Sequence, residues 1–213
     1  MPQIIDWRLR GESAGFIPDP DQGQRLDDLS CWLAERAFPL GLTNYPTPLE
    51  VAEHGLLPTF TVFQLLPELN TGAVLDLGAG SGALGLTLAI LRPNLTVTMA
   101  DRRQRATRFM NLTRARLGIA NAHVRQVSAQ ELAKEPGSRF NLVCFRALAQ
   151  AEAALGLAGP LLAPGGSVCI WHSSEAPEYL SPPAGWARTG TAPTALARLS
   201  VSRFAPEGGV SDS

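Results

Sequence analysis

Asp76, Gly78, Gly80 and Gly82 fall in one run, Asp-Leu-Gly-Ala-Gly-Ser-Gly, which follows the apolar stretch Ala73-Val74-Leu75 and precedes a second one over residues 83–91. Glycines at this spacing let the backbone take positive φ and approach a ligand with no Cβ in the way. A helix opening after Gly82 would aim free N–H groups at the same place. The natural occupant is a nucleotide-like cofactor, and two classes compete. Gly78, Gly80 and Ala83 satisfy the dinucleotide pattern G-x-G-x-x-G/A, and Asp101 closes the next apolar run, 95–100, where an acid would bind ribose hydroxyls. Asp76, however, would stand beside a diphosphate and repel it, whereas the cationic sulfonium and amino group of S-adenosylmethionine would be attracted. The pattern therefore points to S-adenosylmethionine and methyl transfer, ahead of a nicotinamide or flavin enzyme and ahead of a glycine turn with no ligand.

Outside this run the residues able to do chemistry are sparse. Arg146 ends an apolar run, at the strand edge where α/β ligands bind, and could bracket cofactor and substrate or form an ion pair with Asp76 or Asp101. His54 could orient a base or a phosphate, or serve only the packing of its helix. Trp171 and His172 end a later apolar run where a base could stack, although Trp171 suits a core equally well. Six arginines, at 102, 103, 105, 108, 114 and 116, lie between residues 102 and 117 with no acid among them. They form either a solvated helix face or a phosphate-binding one, with Arg102, Arg105 and Arg108 the candidates for RNA.

Charge is distributed unevenly behind a net value of −1: residues 1–70 hold ten acids and four bases, residues 71–150 four acids and eleven bases. The half with the glycine turn is the basic one. The hydrophobic fraction is 45% and the charged fraction 17% over 213 residues, which suits one α/β domain with an N-terminal extension but no second substrate domain. No apolar run approaches the roughly 20 residues of a membrane span, and the N-terminus has no signal-peptide pattern, so a cytoplasmic monomer is expected. Cys31, Cys144 and Cys169 are odd in number and widely spaced; core packing, rather than a disulfide framework or a metal site, is their expected role.

Positioning these residues requires alternating strands and helices. Beyond the turn, strands are expected over 95–100, 122–127, 141–146 and 167–171, and helices over 102–117, 129–134 and 149–162. Ala106, Phe109, Met110, Thr113 and Leu117 supply the apolar stripe of the helix over 102–117. Pro164-Gly165-Gly166 predicts a turn, and two last strands are expected over 186–189 and 197–204. The result is an α/β fold with a doubly wound, mostly parallel sheet closed by a hairpin-like pair. Helices over 24–37 and 48–66, the second broken at Pro58, predict a small N-terminal helical cap over 1–70. The main domain covers 71–204, and 205–213 is expected as a frayed tail.

The order of motifs resembles the RsmG (GidB) family, class I (Rossmann-like) methyltransferases that modify a guanine N7 in 16S ribosomal RNA. The family's Asn-Leu-Thr, D-P, R-H-x-x-D-S and D-V-G-x-G-x-G-x-P-G-I-P-L-A-I motifs are matched by Gly41-Leu42-Thr43, Thr47-Pro48, residues 53–58 around His54, and residues 76–90. Its D-S-x-x-K-R-x-x-F-L, S-R-A-F/V-A and L-L-x-P-G-G motifs are matched by residues 101–110, by Phe145-Arg146-Ala147-Leu148-Ala149 and by residues 161–166. The resemblance implies S-adenosylmethionine contacts at Gly78, Ala83, Ala129, Gln130 and Arg146, and 16S RNA or the 30S subunit as partner. The family's polar residues are replaced at Gly41, Leu57, Pro58 and His172, and its loop prolines at Leu84 and Thr87. These departures imply either an altered substrate or a paralogue that binds cofactor or RNA without turnover.

Overall fold

The computed structural model describes residues 4–137, 139–146, 151–175, 180–196 and 198–208. Apolar runs become the strands β1 (Gly72–Leu77), β2 (Leu95–Ala100), β3 (Ala122–Arg125), β4 (Phe140–Arg146), β5 (Leu162–Ser173), β6 (Trp186–Pro193) and β7 (Leu199–Pro206). They form one sheet in the order β3-β2-β1-β4-β5-β7-β6. The first five pair in parallel, and β7 runs antiparallel between β5 and β6. This is the class I methyltransferase arrangement that the motifs imply. Chain order reverses between β1 and β4, so a crevice opens at their C-terminal ends, directly after Leu77 and Arg146.

Helices cover both faces. The N-terminal helices are α1 (Trp7–Ser13), α2 (Pro20–Trp32), α3 (Pro48–Glu50), α4 (Leu57–Phe60) and α5 (Val62–Leu65); α6 (Ala83–Leu91), α7 (Gln104–Arg116), α8 (Ala129–Leu132) and α9 (Ala151–Ala158) follow the strands. Trp7, Leu26, Leu29 and Phe60 of the N-terminal helices share a buried core with Val74, Leu86, Ile90, Phe109 and Met110. The opposite face of the sheet packs on Leu132, Ala154 and Leu155 of α8 and α9. The N-terminal helices thus form a layer on the sheet, burying its apolar surface in place of solvent.

Several boundaries differ from those expected. The helix α1 is absent from the sequence reading. It begins at an Asp6 side-chain cap, and Trp7 Nε1 donates to the buried Asp27 carboxylate at 2.8 Å, a partner 20 residues away. The helix expected over 48–66 opens with the Thr47/Glu50 capping box, with Pro48 in the first turn, and passes through a π-helical segment, Val51–Leu56, before restarting at Leu57. Pro164-Gly165-Gly166 does not start β5; the strand already begins at Leu162 opposite Phe140, and a register shift takes up the extra residues before Ser167 meets Leu142. The tail starts later than expected, because Ala205 and Pro206 pair with Ala187 and Trp186. Ala147, Leu148, Ala149 and residues 209–213 lie outside the described residues. No helix among the described residues is long and apolar enough to cross a membrane.

Candidate active site

The glycine turn adopts the conformation its composition allows. Gly78, Gly80 and Gly82 have φ of 78°, 61° and 79°. A Cβ on Gly78 would meet nothing within 4 Å, so its face is open. One on Gly82 would come 3.0 Å from Met110 Cγ, so its bareness serves the packing of the turn against the helix behind it. The turn is tied down internally: Gly78 and Ala79 N–H donate to Ala100 O, and Gly80 N–H donates to Asp101 Oδ2 at 3.0 Å.

Asp76 is 2% exposed, and its Oδ2 accepts from the Gly85 N–H in the first turn of α6 at 2.9 Å. The chain's own carboxylate therefore occupies part of the helix N-terminus that a diphosphate would need. Gly85 is required for this approach, since a Cβ there would stand 2.5 Å from Met99 Cγ and 3.1 Å from Asp76 Oδ2. Burial pushes the Asp76 pKa up to about 7, against the lowering effects of the Gly85 bond and of Arg146.

Two cavities meet at this turn. The larger, of about 710 Å³, runs past Leu77, Gly78, Asp101, Arg102, Ala129 and Gln130. The other, of about 260 Å³, lies under the N-terminal layer between Thr43, Asn44, Tyr45, Asp76, Gly80 and Ala83. Gly78 and Arg146 line both. The sequence reading of Asp76, Gly78, Gly80, Ala83, Asp101, Ala129, Gln130, Arg102 and Arg146 thus converges on one crevice. Tyr45 and Asn44 were missing from it, because they carry no local signal that separates them from ordinary loop residues, and Arg103 of the arginine run lines the larger cavity as well.

Arg146 forms no ion pair with either acid. Nη1 donates to Gly55 O at 2.7 Å and Nη2 donates to His54 O, joining the end of β4 to the π-helical segment. Burial lowers its pKa, opposed by Tyr45 and Asp76. His54 contributes this carbonyl, while its ring lies tilted against Tyr45 with centroids 5.4 Å apart and lines neither cavity. His172 is directed elsewhere. Its ring bonds Ser202 Oγ at 3.0 Å and Ser173 O at 2.9 Å, facing β7, and burial lowers its pKa. Trp171 is 1% exposed and donates to Pro58 O, which makes it a core residue rather than a stacking platform.

Asp101 is held by Arg103. The guanidinium meets both carboxylate oxygens at 3.0 and 2.9 Å, and the Arg103 N–H adds a third bond. Burial alone would raise the Asp101 pKa, but these bonds and the one from Gly80 outweigh it and hold the carboxyl below its usual range.

A family model described as rRNA small subunit methyltransferase G (GidB) matches residues 22–196. The chain belongs to that family. Among curated relatives named "Ribosomal RNA small subunit methyltransferase G", the Sorangium cellulosum protein is 36% identical over 67% of this chain and 60% of its own length. The Ralstonia nicotianae protein is 33% identical over 79% of both chains, and the Xanthomonas axonopodis protein 35% identical over 68% of this chain and 66% of its own. The chain thus spans less than two thirds of the length of two of these relatives. Solved structures share the fold at lower identity: yhhF from Escherichia coli has a TM-score of 0.57 at 21% identity, covering 70% of this chain and 86% of that one. TrmN from Thermus thermophilus has a TM-score of 0.53 at 18% identity, covering 70% and 48%.

The departures from the GidB motifs have structural accounts. Gly41 sits at φ 62° in the turn after the first π-helical segment, Leu33–Ala37, a left-handed conformation that asparagine also tolerates. Leu57 is 2% exposed and packs in the core, and Thr87 returns its hydroxyl to Ala83 O. Leu84 lines the smaller cavity, and His172 faces β7.

Proposed function

We propose that this chain transfers a methyl group from S-adenosylmethionine to N7 of a guanine in 16S ribosomal RNA, acting as a monomer on the 30S subunit in the cytoplasm. The observation that carries the reading is the buried Asp76 carboxylate in the smaller cavity, beside Gly78 and Arg146, which line both cavities. An anion there suits a sulfonium and an amino group and opposes a diphosphate, which sets the nicotinamide or flavin reading aside.

The residues present fit the cofactor. Asp101, with Ala129 and Gln130 on the wall of the larger cavity, would hold ribose and adenine, while Asp76 and the Gly78 backbone would face the methionine end. S-adenosylmethionine, when bound, supplies the electrophilic methyl group. Guanine N7 carries an exposed lone pair, so attack needs alignment and water exclusion rather than a general base. Arg146 fixes the wall against which a base would be aligned. The paralogue without turnover is less favoured, because the chain matches the rRNA small subunit methyltransferase G family over residues 22–196.

Incubation with methyl-labelled S-adenosylmethionine and 30S particles, naked 16S RNA or small molecules tests the assignment. Label recovered as 7-methylguanine in RNA is expected. Tight cofactor binding with no transfer to undermethylated RNA or particles would overturn it in favour of the non-catalytic paralogue.

A further inference from the structure

A third opening lies outside the crevice. Leu40, Gln104, Arg105, Arg108, Phe109 and Leu112 line a groove of about 330 Å³ between the segment after the first π-helical stretch and the outer face of α7. Its floor is apolar and unusually open to solvent: Leu40 is 39% exposed and Leu112 57%. Its rim is cationic, and no acid lines it.

The six arginines of this region divide by their partners. Arg103 is taken by Asp101, Arg114 by Asn111 and Ala122 O, and Arg116 lies over the Trp32 ring. Arg102, Arg105 and Arg108 are exposed and make no bond or ion pair with the described residues. Two of these three flank the groove, and Arg102 lines the cofactor cavity. The same short stretch of chain serves both openings: Leu40 faces the groove, whereas Leu42, Thr43, Asn44 and Tyr45 face the crevice. A polymer with its reacting unit in the crevice would cross this stretch and meet the groove next.

We propose that the groove is a subsite for the nucleotide flanking the methylated base, with sugar and base over Leu40 and Leu112 and a phosphate on Arg105 and Arg108. This rests on the RNA reading above. Exposed leucines alone would suit a protein partner equally well, but unopposed guanidiniums beside them select a polyanion with apolar faces, and single-stranded RNA has both.

The test compares the parent chain with R105E/R108E, R105K/R108K and L112A, using naked 16S RNA and 30S particles from cells lacking this methylation. The charge reversal should raise KM for naked RNA roughly tenfold or more and lower the log–log salt slope of RNA binding by about one per lost contact, with affinity for S-adenosylmethionine unchanged. The lysine pair should keep the slope, and L112A should weaken RNA binding at constant slope. If R105E/R108E leaves KM and slope at parent values while the parent methylates RNA, the subsite is refuted and the proposed function stands. If the reversal impairs transfer to 30S particles but not binding of naked RNA, the occupant is a ribosomal protein and the proposal also fails. A parent chain that binds cofactor and methylates neither substrate would instead overturn the function on which the subsite rests.

Discussion

With Asp76 facing the methionine end of the cofactor as proposed, its carboxylate would attract the sulfonium as an anion, and because burial raises its pKa to about 7, protonation and binding would be linked. The cationic S-adenosylmethionine should bind more tightly as pH rises from 6 to 8 and should release a proton, measurable by calorimetry in buffers of different ionisation enthalpy. The demethylated product, lacking the sulfonium charge, should show a weaker dependence. The same shift acts on stability. Between the ordinary value of 3.8 and about 7 the folded chain keeps a proton that the unfolded chain has lost, so this group's contribution is full below 3.8 and lost as pH rises to 7. Asp76→Asn should therefore narrow the difference in Tm between pH 5 and pH 8, and an unchanged difference would place the titration elsewhere. At Asp101 the structure predicts opposite results for two neighbours. D101A should weaken cofactor binding by roughly 1–3 kcal/mol, because charge-assisted bonds are lost. R103A, which removes the guanidinium from both carboxylate oxygens and leaves only the backbone N–H bonds of Gly80 and residue 103, should match or exceed the parent affinity; a loss equal to that of D101A would assign the ribose to Arg103 instead.

At the scale of the element, the π-helical segment and Pro58 act together. An α-helix would direct the N–H of residue 58 to His54 O, and proline has none, so that carbonyl is left for Arg146. Trp171 holds the other side of the same residue through Pro58 O, at 3.0 Å. A π-helical turn next to a site is a frequent arrangement, and here it brings Val51 and Gly55 to the cavity wall. R146A should cost roughly 1–3 kcal/mol of stability by leaving carbonyls unpaired. P58A restores a competing donor, so the double variant should depart from additivity by about 0.5–3 kcal/mol in a denaturation cycle. Additive effects would mean that proline and arginine act independently.

Across the whole molecule, the N-terminal layer and the sheet share one core even though their charges differ in sign. Removing residues 1–70 would expose Val74, Leu86 and Ile90, all fully buried, so a chain of residues 71–213 should not fold alone. Heating the full chain should give one transition. Trp7 and Trp32 report on the N-terminal layer and Trp171 on the sheet, so tryptophan fluorescence and far-UV circular dichroism should coincide; two separated midpoints would show independent domains.

What the sequence determined by itself was local or periodic. The glycine turn, the helix over 83–91 and the strand over 95–100 were legible because conformational preference and apolar spacing act over a few residues. An acid placed beside that turn favoured a sulfonium cofactor over a dinucleotide. The tertiary structure decided the rest through contacts with no sequence signature: Arg146 reaches a carbonyl 91 residues away, and His172 turns to β7. One arginine of the run saturates Asp101 while two others face an open groove, a division set by helix phase and by what packs alongside rather than by composition. Hydrogen-bond partners between distant segments are chosen when the core closes, because burial makes an unpaired polar group costly and only the assembled layers determine which partner is within reach.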